Sequence, residues 1–102
     1  MNDYEDRKIA KNSYDWGFIS TARVTDGRQP YETAVKHPGY RDGEIVIVEA
    51  YDDPETARAG HEKWVGIMKN PPDELTDCNN SYISQLYTEL GEPRTFKYKP
   101  KS

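Results

Sequence analysis

Glu44-Ile45-Val46-Ile47-Val48-Glu49-Ala50-Tyr51-Asp52-Asp53-Pro54-Glu55 begins the stretch whose reading decides the fold, and the pattern continues to Met68. Ile45 to Val48 is β-branched without a break, as in a central strand covered on both faces. Asp53 has the short oxygen-bearing side chain of a helix N-cap, Pro54 suits the first helical position, and Glu55 suits the positive end of the helix dipole. The strand therefore turns directly into a capped helix. Ala57, His61, Trp64, Val65 and Met68 recur at helical spacing as the inward face, while Glu55, Arg58, Glu62 and Lys69 point outward. Asn70-Pro71-Pro72 stops the helix, because proline lacks the N–H that the next turn needs.

Upstream, Gly17 to Thr25 alternates as a strand, with Phe18, Ser20, Ala22 and Val24 on one face and Ile19, Thr21, Arg23 and Thr25 on the other. Asp26-Gly27 is a turn, and Pro30 starts a second strand, Tyr31 to Lys36. His37 to Gly43 is a loop with two turn signals. Residues 1–15 are polar without clean periodicity and read as an arm docked by Tyr14 and Trp16. Downstream, Tyr82, Ile83, Leu86, Tyr87 and Leu90 fit a short amphipathic helix ended by Gly91, and Phe96 and Tyr98 alternate with Lys97 and Lys99 as in an edge strand or a docking arm. The expected fold class is α+β: a small antiparallel β-meander of about three strands, one main helix packed on it, and a C-terminal short helix or arm. It forms one domain over residues 1–102, with an N-terminal arm (1–15), a β-β-β-α core (17–70) and an extension (71–102).

With 34% hydrophobic and 31% charged residues, this 102-residue chain builds only a modest core, and completing it by homo-oligomerisation is the expectation. The single cysteine, Cys78, rules out an intrachain disulfide and suits a reducing cytoplasm. No apolar run approaches the roughly 20 residues that span a bilayer, and a start bearing Asp3, Glu5 and Asp6 does not read as a signal peptide. The net charge of −4 is uneven. Arg23, Arg28, Lys36 and Arg41 outweigh the acids of residues 22–41, acids dominate residues 42–62, and Arg94, Lys97, Lys99 and Lys101 end the chain without an acid. Such a chain repels duplex nucleic acid at long range but holds a small anion where its basic residues converge.

His61 is the most suggestive single residue. It reads either as a core histidine bonded to a strand, or as the wall of a pocket between helix and sheet. The neighbouring Gly60 allows close approach of that helix, by a ligand or by the sheet itself. His37 and His61 have no second ligand at a metal spacing, so neither a metal nor a cofactor is expected. A glycine-rich phosphate loop is absent, so any grip on phosphate falls to arginine and lysine side chains. On the hairpin, Arg23 and Glu32 either form a surface ion pair or belong to a site. In that site Arg23, Lys36 and Arg41 hold an anion, Glu32, Thr21 and Thr33 complete the polar set, His61 lines the wall, and Tyr51 or Trp64 stacks on a base.

Several of these residues occur together in a recognisable order. Ile19-Ser20-Thr21-Ala22, Pro30-Tyr31-Glu32-Thr33-Ala34-Val35, Tyr51 and Ala57-Arg58-Ala59-Gly60-His61-Glu62 with Val65 resemble a group of small, mostly uncharacterised phage and prophage proteins. The likeness covers about residues 18–68. Ala34 and Lys36 depart from it, standing where larger apolar residues are the rule. The resemblance implies an α+β fold and a phage origin, hence the cytoplasm of an infected bacterium. By analogy with small phage proteins that counter host defence, it also implies a non-enzymatic sponge for a nucleotide immune signal, such as a cyclic dinucleotide or an ADP-ribose derivative. Two alternatives remain open. One is a protein–protein inhibitor or virion component using Tyr82, Tyr87, Phe96 and Tyr98. The other is a hydrolase of a nucleotide signal using His61.

Overall fold

The computed structural model describes residues 7–25 and 27–100. The expected hairpin forms within an antiparallel meander of four strands, in the order β1 (Lys8–Tyr14), β2 (Gly17–Arg23), β3 (Tyr31–Lys36) and β4 (Ile45–Tyr51). The Ile45–Val48 run, expected as a central strand, instead lies at the edge of the sheet, its β-branched residues packing against neighbouring layers rather than marking a strand paired on both sides. The additional strand is β1, which lies in the segment read as a polar arm and pairs along β2 from Lys8↔Ala22 to Tyr14↔Gly17. An edge strand needs little apolar alternation of its own, because its partner supplies the ladder. The remainder of that arm, residues 1–6, lies outside the described residues.

The register sorts the side chains onto two faces. Ile19, Val35 and Val46 stand in one row, and Thr21, Thr33 and Glu49 in the next. Both rows face α1 (Pro54–Ile67), capped by Asp53, whose carboxylate accepts the Thr56 N–H at 2.8 Å. The β3–β4 register slips between Thr33 and Ala34, which pair with Glu49 and Ile47 respectively. Val48 is therefore a bulge. An extra residue reverses the alternation beyond it, so Glu49 and Tyr51 turn to the helix face instead of away from it.

The layer between helix and sheet has two halves. Around Met68, the apolar half gathers Ile19, Val35, Tyr40, Val46 and Leu75. Under Ala57, Gly60 and His61, the other half is polar and contains the fully buried Thr21 and Thr33. A Cβ on Gly60 would lie 2.3 Å from the Tyr51 ring, so that glycine serves tight packing of helix on sheet.

The C-terminal third closes one side. Strands β5 (Glu74–Thr76) and β6 (Thr95–Lys97) pair as a ribbon, and α2 (Tyr82–Glu89) lies between them in sequence. The Cys78 N–H donates to Ile47 O at 2.7 Å, which fastens this segment to the open edge of β4. Beyond β6, the Lys99 N–H donates to Gly39 O at 2.7 Å and the Tyr98 ring packs where any Cβ on Gly39 would collide. The basic tail is thereby fixed against the loop that follows β3. Among the described residues no helix is long and apolar enough to cross a membrane.

Candidate functional site

Five of the nine residues expected to bind a ligand do come together, inside the protein. His61 Nδ1 lies 2.8 Å from Thr21 Oγ1, Thr21 Oγ1 lies 2.6 Å from Thr33 Oγ1, and Thr33 Oγ1 lies 2.9 Å from the Tyr51 hydroxyl. Tyr51 donates to Glu49 Oε1 at 3.2 Å, and the same oxygen accepts from Trp64 Nε1 at 2.9 Å and faces Lys63 Nζ at 2.6 Å. At the far end, His61 Nε2 meets the Asn12 side-chain amide at 2.8 Å. One chain of hydrogen bonds thus crosses all four strands.

Glu49 fixes the proton order along this chain. Burial pushes its carboxyl up, but hydrogen bonds from Lys63 and Trp64 and the Lys63 charge more than offset this, leaving it below its ordinary value. An ionised carboxylate only accepts, so Tyr51 gives its proton to Glu49, Thr33 to Tyr51, and Thr21 to Thr33. His61 must then donate from Nδ1. Burial lowers its pKa despite the opposing charge of Glu62, so the ring is neutral, and this order requires the Asn12 amide, whose oxygen lies at Nε2, to make a half turn so that its nitrogen donates there. Burial also pushes the Tyr51 hydroxyl up to about 12, which keeps it a donor. Every member is satisfied by another, and the ring of His61 is 0% exposed. The arrangement makes a polar core, with no place in it for a ligand atom.

The other four residues lie elsewhere. Arg23 and Lys36 stand opposite Tyr31 and Phe18, at the two ends of the β2–β3 ladder. Five residue steps, about 17 Å, separate them along the strand, too far to share one phosphate. Glu32 faces away from α1 and accepts from Asn80 Nδ2 at 3.0 Å, so it stands apart from Thr21 and Thr33. Lys36 Nζ donates to Gly43 O.

Arg41 is exposed and lines two neighbouring cavities. It lines a cleft of about 570 Å³ between the loop after β3 and the C-terminal strand, together with Pro38, Asp42, Phe96, Lys97 and Lys99. A smaller cavity of about 240 Å³, which also shares Phe96, adjoins Tyr87, Asp77 and Glu92. The guanidinium is held in two ways: Nη1 donates to Ile45 O at 2.9 Å, and its carbon sits 5.1 Å from the centre of the Phe96 ring. The backbone carries strain here, since Arg41 and Asp42 adopt φ of 50° and 55°. Such conformations cost of order 1 kcal/mol each outside glycine and gather at functional sites. Three cations face one acid, Asp42, in the larger cleft, whereas the smaller cavity sets Arg41 against two acids.

The expected set thus misses Phe96, Lys97 and Lys99. The signal was present as aromatic–basic alternation at the C-terminus, but tertiary contacts bring that stretch to Arg41: the Lys99–Gly39 bond, Tyr98 against Tyr40 and Phe96 under the guanidinium. Asn12, Lys63 and Glu49 are also missed, Glu49 because the bulge at Val48 leaves no mark in the residue pattern.

Two other reactive groups are subdued. Burial pushes the Cys78 thiol up to about 11, with Asp77 adding to the rise, so it stays protonated at neutral pH. His37 is buried among Trp16, Tyr40 and Tyr98, its Nδ1 accepting the Gly39 N–H at 2.9 Å. Among the described residues no three His, Cys, Asp or Glu side chains gather as a metal ion would require. Comparison with protein-family models, with curated proteins and with solved structures returns no match.

Proposed function

We propose that the protein is a small, non-enzymatic, homo-oligomeric binding protein that holds an anionic, nucleotide-like ligand in the Arg41 cleft. One observation carries this reading. In a chain of net charge −4, Arg41, Lys97 and Lys99 meet around one open cleft beside an aromatic plane, with Asp42 as its single acid. Lysine and arginine supply the charge for phosphate, and Phe96 with the Arg41 guanidinium supplies a flat surface for a base. The strained, hydrogen-bonded turn holds Arg41 in place before any ligand arrives, which lowers the ordering cost of binding. The low reactivity of Cys78 and the buried, fully bonded ring of His61 favour capture over turnover. With the resemblance to phage proteins, the reading extends to a sponge for a nucleotide immune signal, a cyclic dinucleotide or an ADP-ribose derivative.

Calorimetric titration with a panel of those two ligand classes tests it. The expected result is saturable binding by at least one member, which is recovered chemically intact after heat denaturation of the complex. Absence of heat for the whole panel at about a hundredfold excess of ligand contradicts the reading, and recovery of a cleaved product replaces capture with hydrolysis.

A further inference from the structure

Helix α2 presents its apolar side to solvent. Tyr82, Ile83, Leu86, Tyr87 and, at the cap, Leu90 form one stripe and are 63, 59, 52, 52 and 71% exposed. The inward side is polar: Ser84 Oγ donates to Asp77 Oδ2 at 2.6 Å, and Thr88 Oγ1 donates to Asn79 Oδ1 at 3.4 Å. The helix is therefore pinned by hydrogen bonds with its stripe outward, and Glu89 is its only charged residue. An amphipathic helix normally buries such a stripe.

The sheet shows the complementary lack. One face carries α1, and the opposite face holds a hollow of about 210 Å³ walled by Phe18, Ala22, Val24, Ala34 and Ile45, with Ser20, Arg7, Arg23 and Glu32 around it. Ala22 and Ala34 make the hollow by being small, and Ile45 at its edge is 41% exposed. Among the described residues no helix packs there. Among the described residues, a sheet face that carries no helix and a helix whose apolar stripe faces solvent are two halves of the usual helix-on-sheet packing.

We infer that a second copy of this chain joins those halves: α2 of each copy lies in the sheet hollow of the other, about a two-fold axis. Such reciprocal contacts close a dimer without leaving a repeating edge. The stripe offers roughly 600 Å² and the hollow adds to it, most of the roughly 800 Å² a side that stable complexes bury. Two short helices touching only each other would fall well below that. Charge agrees as well, because the stripe spares two acidic copies a like-charge contact at its centre, while two arginines, Arg7 and Arg23, outnumber Glu32 around the hollow and suit Glu89 beside the stripe. This inference rests on the homo-oligomeric part of the binding reading, and its test uses no ligand, so failure here is distinct from failure to bind one.

Sedimentation of the full chain at about 100 μM reads the outcome. Wild type sediments at twice the chain mass of 11.8 kDa. Leu86→Asp and Ile45→Lys, at exposed positions, each halve that mass with an unchanged far-UV circular dichroism spectrum. Mixing the two variants restores the dimer mass, because the acid placed on the helix then meets the lysine placed on the sheet. If Leu86→Asp alters the spectrum, Leu90→Asp takes its place. A monomeric wild type, a dimer that survives either substitution, or a mixture that stays monomeric overturns the inference.

Discussion

At the scale of single residues, the distinctive feature is a buried polar chain rather than a reactive group. Thr21 and Thr33 have no exposure, and each both gives and takes a hydrogen bond. Replacing Thr33 by valine keeps the shape but leaves Tyr51 and Thr21 each short of a partner, at a cost of about 1–3 kcal/mol in urea unfolding. Thr21→Val orphans His61 and Thr33 to a similar extent. The double variant costs less than the two singles together, since it removes two groups that each single strands. Strict additivity would contradict a continuous chain. The histidines add a pH dependence. Burial holds both His37 and His61 below their ordinary value, so the unfolded chain binds more protons near its own pKa than the folded one does. Stability is then full above about pH 6.5 and falls as the pH is lowered toward 5. Urea midpoints that rise on acidification through that window would contradict neutral buried rings.

At the scale of elements, the strand-to-helix passage was readable because its signals are local: a β-branched run, the Asp53 cap and the apolar face of α1. Packing adds what local signals omit. Gly60→Ala should stabilise an isolated helix by about 1 kcal/mol, yet here the new methyl meets the Tyr51 ring at 2.3 Å. The expected outcome is a net loss of about 1–3 kcal/mol in thermal or urea unfolding, and a more stable variant would show that the ring yields without cost. Other elements were legible only in part. The polar Lys8–Tyr14 segment forms a strand because β2 pairs with it, and its polar Asn12 is placed to end the hydrogen-bonded chain at His61. The expected short helix appears at Tyr82–Glu89, but periodicity gives the stripe and not the direction it faces. That direction is set by hydrogen bonds of Ser84 and Thr88 to residues outside the stripe.

At the scale of the whole molecule, the expected binding set divides between the interior and the surface. Thr21, Thr33, Tyr51, His61 and Trp64 converge as expected for neighbours on a sheet and its covering helix, and they spend their polarity on one another. Arg41 finds its partners at the other end of the chain, a contact of long sequence separation that no local pattern encodes. Calorimetric titration of ADP-ribose and cyclic dinucleotides into wild type, Arg41→Ala and Arg23→Ala tests the Arg41 cleft most directly. The predicted result is binding by wild type, retained when Arg23 is removed and weakened at least about tenfold when Arg41 is removed. Binding that survives loss of Arg41 but disappears with Arg23 would contradict the assignment of the cleft.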